Sequence, residues 1–235
     1  MTVTRTLAYG NMGQQIKVGG ASGAAINNVI FTNCNALRQA IPGTPSGYNT
    51  RLSDFCRAAD SGVVMTVGKG TTLSFDFNTV YSASATGIEV DCDTSSGPCD
   101  STSLIDFRNN VFVGFLNNTA DGYPDGGTSD YSNPIYVGVA TTNPFTNAGS
   151  IYSNNVTYNG KSDWTCPAQW LNEVNALCTN PNLMDPTWHL YGYGNVAPNP
   201  SVQVVQGAGV AIPTIPIDYT GQVRSNPPSI GAYEQ

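Results

Sequence analysis

The phrase Asn154-Asn155-Val156-Thr157-Tyr158 places a polar pair ahead of a short β-prone run. Earlier copies read Asn27-Asn28-Val29-Ile30-Phe31, Asn78-Thr79-Val80-Tyr81 and Asn109-Asn110-Val111-Phe112, with a weaker first copy at Arg5-Thr6-Leu7-Ala8-Tyr9. Successive copies start 22, 51, 31 and 45 residues apart. A unit of roughly 20 to 30 residues that tolerates insertions marks a solenoid, where each unit buries its apolar face only against its neighbours. Asn is informative here because it accepts left-handed backbone and bonds locally, so it turns a corner between strands. Stacked corners also let Asn side chains form ladders. The pattern predicts an all-β chain: a parallel β-helix with insertions and one short helix, in which Val29, Val80, Val111 and Val156 share an interior.

Composition agrees. Only 11% of the 235 residues are charged, against an ordinary share of about a quarter. Aromatic and β-branched residues are plentiful, which excludes a disordered chain. A net charge of −7 argues against nucleic acid, whose phosphates need clustered Lys and Arg. No long unbroken apolar run is present, so no membrane span is expected. The sequence enters its first repeat directly from Met1, with no signal peptide. That start predicts either upstream sequence that has been removed or another chain over the uncapped first rung, because an open strand edge invites pairing. End-to-end self-association is one form of the latter.

Six cysteines fall as Cys34/Cys56, Cys92/Cys99 and Cys166/Cys178. Each nearest-neighbour pair brackets an insertion or turn, which suggests three local disulfides and an oxidising compartment. Zinc fits poorly, with one His and no Cys-x-x-Cys.

A single domain is expected. Residues 1–160 carry the β-helix rungs, with loop insertions at about 39–60, 92–100 and 117–133; residues 161–235 hold a Cys-bracketed insertion and a closing segment. Within that insertion Pro167–Leu177 reads as a helix, with Trp170, Leu171, Val174 and Leu177 at helical spacing and Pro in the first turn.

The closing segment contains Asn180-Pro181-Asn182-Leu183-Met184-Asp185-Pro186, then Trp188-His189-Leu190. It ends with Asp218-Tyr219-Thr220-Gly221-Gln222-Val223-Arg224 and Ile230-Gly231-Ala232-Tyr233-Glu234. These stretches resemble the C-terminal module of secreted bacterial right-handed parallel β-helix repeat proteins of the pectate-lyase-like kind. With the Asn-Asn-Val repeats the resemblance spans nearly the whole chain. It implies a right-handed coil, a secreted or cell-surface location and contact with carbohydrate, but no particular reaction. Against that pattern, an upstream solenoid before Met1 and an anchor after Gln235 would be expected. His189 reads as a packing residue, and Asp218 with Arg224 as a structural pair pinning the final strand.

Chemistry is expected on the return strands. Taking Ile16-Lys17-Val18, Met65-Thr66-Val67, Ile88-Glu89-Val90 and Ile135-Tyr136-Val137 as equivalent puts Lys17, Thr66, Glu89 and Tyr136 in one outward column, on rungs about 4.8 Å apart. Two residues on, Asp91 stands beside Gly19, Gly68 and Gly138, and Lys69 lies at the groove's rim. Such a groove suits polysaccharide. In a lyase, Glu89, Asp91 and Asp93 would bind Ca²⁺, Lys17 or Lys69 would act as base and Tyr136 as proton donor. In a hydrolase, Glu89 and Asp91 would flank the glycosidic bond. The plain alternative is a solvated turn held by Cys92–Cys99. The loop Asn117–Asn133 offers Asp121, Asp125 and Asp130 with Tyr123 and Tyr131 for sugar or calcium, or is simply a polar insertion. Asn117 and Asn155 each head a glycosylation sequon.

Three functions follow: a polysaccharide lyase or glycoside hydrolase acting on acidic glycans, a non-catalytic glycan-binding or adhesive module, and a fibre-forming surface element.

Overall fold

A computed structural model of the chain describes residues 1–8, 16–19, 23–32, 61–82, 86–92, 99–114, 133–137, 142–158, 166, 172–185, 195–201 and 203–235. The described residues are nearly all β. Sheet A orders its strands β1 (Thr2–Thr4), β4 (Ala24–Ile26), β7 (Thr72–Asp76), β10 (Leu104–Arg108) and β13 (Ile151–Ser153). Sheet B holds β2 (Leu7–Ala8), β5 (Val29–Thr32), β8 (Thr79–Ser82), β11 (Val111–Gly114) and β14 (Val156–Tyr158); sheet C holds β3 (Ile16–Val18), β6 (Ser61–Val67), β9 (Thr86–Cys92) and β12 (Asn133–Val137). All pairs within these sheets are parallel. The chain therefore visits A, then B, then C, and begins again one strand further along. A small antiparallel pair, β15 (Leu183–Asp185) with β16 (Asn195–Pro198), follows.

The corner between sheets A and B explains the repeated phrase. Arg5, Asn27, Phe77, Asn109 and Asn154 all have φ between 50° and 59°, the left-handed region where Asn is least penalised. The residue after each of the last four corners points inward, whereas Thr6, after Arg5, is exposed. Asn28, Asn78, Asn110 and Asn155 are buried and stack as the expected ladder, each Nδ2 donating to the next Oδ1 at 2.8–3.1 Å. Each backbone N–H donates to the same oxygen at 2.8–2.9 Å. The second Nδ2 hydrogen goes to a carbonyl of the preceding circuit (Val3, Ala25, Phe75, Phe107). Glu173 ends the series, its Oε1 accepting from Asn155 N and Nδ2 at 2.8 and 2.9 Å.

The third corner is one residue earlier than the phrase suggests, because Phe77 occupies the left-handed position and Asn78 the ladder. In consequence Val29, Val111 and Val156 stand in register with Thr79, while Val80 is in register with Ile30 and Phe112. Ala8, Ile30, Val80 and Phe112 point into the central core with Phe75, Phe107, Ile88 and Val90. Val29, Val111 and Val156 do not share that interior. They pack outward, beneath Val205, Ile230 and Ala232 of the closing segment. A one-residue shift exchanges the two faces of a strand, and here both faces are buried.

The closing segment crosses the corners circuit by circuit. Ala208 O accepts from Asn154 Nδ2 and Val210 O from Asn109 Nδ2. Ile212 and Ile215 pack on Phe77, while Ile217 O accepts from Asn27 Nδ2 and Tyr219 O from Arg5 Nε. Gly231, at φ 96°, is required by close approach: a Cβ there would lie 2.9 Å from Thr79 Oγ1 and Val111 Cγ2. Arg224 pairs with Glu234 at 3.4 Å rather than with Asp218. Its guanidinium also donates to Asn27 Oδ1 and Gly231 O and lies 3.7 Å from the Phe77 ring centroid. Asp218 organises its own loop, accepting from Thr220 Oγ1, Gln222 N and Glu234 N.

The helix expected over Pro167–Leu177 is absent from its described part. Val174 and Leu177 make parallel bridges to Ser153 and Val156, and Asn172 and Asn175 are left-handed at φ 56°. Another corner of the stack, apolar at three-residue spacing, imitates helical periodicity. No α-helix occurs among the described residues, whose one helical element is a 3₁₀ turn at Pro144–Thr146. Cys92–Cys99 and Cys166–Cys178 are disulfides; Cys34 and Cys56 lie outside the described residues.

Candidate functional site

The outer face of sheet C carries Lys17, Thr66, Glu89 and Asp91 among the residues singled out from the sequence. Alternation fixes which side chains are there: Ile16, Val18, Val63, Met65, Val67, Ile88 and Val90 enter the core, so Lys17, Val64, Thr66, Glu89 and Asp91 face away from it. The register differs from the expected one by two residues on β6. Lys17 pairs with Val64, Val64 with Glu89, and Glu89 with Tyr136. Val64 thus replaces Thr66 in that column, and it is itself buried. Thr66 stands beside Asp91 instead.

This register brings Thr66, Glu89, Asp91 and the position of Tyr136 together and separates Lys17 from them. Lys17 is two strands from Glu89, roughly 10 Å at the ordinary strand spacing, with Val64 between. Gly19 does not open a groove by lacking a side chain, because a Cβ there would lie 2.3 Å from Thr66 Oγ1; the threonine hydroxyl fills that space. Gly68 lies past the end of β6, and Gly138 is outside the described residues. Lys69 is at the next corner, its ammonium 3.2 Å from Asp100 Oδ2. Asp93, Asp121, Tyr123, Asp125, Asp130, Tyr131, Asn117 and His189 lie outside the described residues. Among the described residues no group of three or more His, Cys, Asp or Glu side chains is placed to hold a metal ion.

The sequon at Asn155 is closed to glycosylation in the folded chain. Its amide is buried and donates to Glu173 and Phe107 O.

A second ionisable group, passed over in the sequence, lies on the outer face of sheet A. Arg108 donates from Nε to Asp106 Oδ1 at 2.6 Å and pairs through Nη2 with Oδ2. Asp76 lies on the other side, Oδ1 at 3.7 Å from Arg108 Nε. Burial pushes the Asp76 carboxyl up to about 8, with the charge of Asp106 adding to it and Arg108 opposing. The alternation Leu104-Ile105-Asp106-Phe107-Arg108 was the signal. With Asp76 almost fully covered, the group ties two circuits together and gives a substrate little access.

Among the described residues no helix is long and apolar enough to cross a membrane. No family model, curated protein or solved structure matches this chain.

Proposed function

We propose that this chain is an extracellular right-handed parallel β-helix of the pectate-lyase-like kind, which engages polysaccharide across the outer face of sheet C. The A–B–C strand order, the left-handed Asn corners and the two disulfides support that architecture and location. The observation that carries the functional reading is the juxtaposition on β9: Glu89 and Asp91 face outward, flanked by Thr66 on one neighbouring strand and Tyr136 on the other. Carboxylates accept hydrogen bonds from sugar hydroxyls, a threonine hydroxyl both donates and accepts, and an aromatic residue supplies a stacking platform. Neighbouring strands about 4.8 Å apart repeat on the length scale of successive sugar units.

Binding is favoured over lyase chemistry, because the base that a lyase needs is displaced: Lys17 lies across Val64, and Lys69 is held at a corner by Asp100. Electrophoresis through gels containing neutral or uronate polysaccharides tests the reading. Retardation by at least one glycan, persisting in chelator, is expected; unimpeded migration across a broad panel rejects it. Release of unsaturated uronate products, lost in Asp91→Ala, would instead establish a lyase.

A further inference from the structure

Asp91 sits where the strand pairing of sheet C runs out. Two residues earlier, Glu89 has a paired neighbour on each side, Val64 on β6 and Tyr136 on β12. β12 ends at Val137, opposite Val90, so among the described residues Asp91 pairs with Thr66 alone. β9 itself ends one residue later at Cys92, whose neighbour Val67 is the last residue of β6. Strand ends open locally at low cost, because few bonds must break. Pairing with Thr66 by itself would leave the outward Asp91 carboxylate poorly fixed.

Cys92 is bonded to Cys99, and Cys99 is anchored. Its side chain is buried in the central core. The next residue, Asp100, donates its N–H to Ser103 Oγ at 3.2 Å, accepts at its carbonyl from Asn147 Nδ2 at 2.8 Å, and meets the Lys69 ammonium at 3.2 Å. The disulfide therefore ties the open end of β9 to the corner between sheets C and A, seven residues on. We propose that the Cys92–Cys99 disulfide is a positioning element for glycan binding, which fixes Asp91 but not Glu89 against the sugar. The inference rests on the reading of sheet C as the binding face. Pre-organising a contact group raises affinity by removing the cost of ordering it on binding. Without the bond the Asp91 carboxylate is still present but contributes less, while Glu89, paired on both sides, keeps its contribution.

A double-mutant cycle on affinity for a retarding glycan tests this. In the intact chain Asp91→Asn and Glu89→Gln should each cost about tenfold. In the Cys92→Ala/Cys99→Ala chain Asp91→Asn should cost less than about twofold, while Glu89→Gln still costs about tenfold. A disulfide that merely stabilises the fold would lower the melting midpoint and leave both costs unchanged. That result overturns the proposal, and the reading of sheet C survives it. Insensitivity of the intact chain to both Asp91→Asn and Glu89→Gln overturns the reading and the proposal together. Where the cysteine variant does not fold, Asn147→Ala keeps the bond but releases the Asp100 carbonyl. Asp91→Asn should then cost about threefold, and an undiminished cost contradicts the proposal.

Discussion

Asn110 Oδ1 accepts both the backbone N–H of Asn78, at 2.9 Å, and its side-chain amide, at 3.1 Å. Each ladder Asn binds its neighbour through two bonds and uses its remaining amide hydrogen on a backbone carbonyl. The Asn-to-Asn bonds all run toward Glu173, whose Oε1 accepts the last of them from Asn155. The corner that sets the shape of the stack is also where its circuits are locked together.

Removing an inner member should therefore cost more than removing an end one. Asn110→Ala strips partners from Asn78 N, Asn78 Nδ2 and Phe75 O. At about 1–3 kcal/mol for each buried group left unpaired, a loss of about 3–6 kcal/mol is expected in urea unfolding. Asn28→Ala, whose oxygen serves Thr6 N on the outer circuit, should cost about 1–2 kcal/mol.

Stability should fall as pH rises through neutrality. Burial lifts the Glu173 carboxyl from an ordinary 4.5 to about 7, outweighing the Asn155 bonds that lower it. The folded chain holds a proton that the unfolded chain has released, so this contribution is whole below about 4.5 and lost by about 7. It amounts to about 3 kcal/mol. Asp76, raised to about 8, acts in the same direction. Asp218 acts oppositely: burial would raise it, but bonds from Glu234 N, Thr220 and Gln222 N hold it low, so its contribution is lost on acidification. Glu173→Gln keeps the acceptor and removes the proton, and should flatten the neutral part of the melting profile.

Arg224 holds the closing segment to the corners. Arg224→Ala leaves the buried Glu234 carboxylate without its counter-ion, held only by Ser225 and Ser229, and should destabilise by about 3–5 kcal/mol. Arg224→Lys keeps the charge but loses the fork that reaches both Glu234 and Asn27, and should recover only part of that. Hydrogen exchange should quicken first at Gly231 and Ala232, whose amides bond Asn109 O and Thr79 Oγ1.

Gly231→Ala should cost about 1–3 kcal/mol. Its positive φ and its contact with Thr79 and Val111 both exclude a side chain. Gly70, also at positive φ but with open space around its Cβ position, is the control: Gly70→Ala should cost less in the same assay.

The corners were legible because an Asn pair states its own backbone requirement. The register was not, for two separate reasons. At the third corner Phe77 takes a conformation that a bulky residue seldom adopts, so the pair was read one residue late and Val80, which does enter the core, was grouped with Val29, Val111 and Val156, which do not. Alternation offered no correction, because the closing segment covers the outside of sheet B and makes both of its faces apolar. On β6, Val63-Val64-Met65 and Met65-Thr66-Val67 alternate equally well, and a two-residue slip leaves every side chain on its proper face. Only pairing with β3 and β9 distinguishes them. The outward face of Glu89 and Asp91 survived that slip, whereas the placement of Lys17 beside Thr66 did not.

Affinity for a retarding glycan, compared across Glu89→Gln, Asp91→Asn, Thr66→Ala and Lys17→Ala, tests most directly whether sheet C is the binding face. The account predicts that the first three each weaken binding by about tenfold, the share of one or two lost hydrogen bonds, while Lys17→Ala leaves it within about twofold. Binding that is insensitive to Glu89 and Asp91, or that depends chiefly on Lys17, would contradict it.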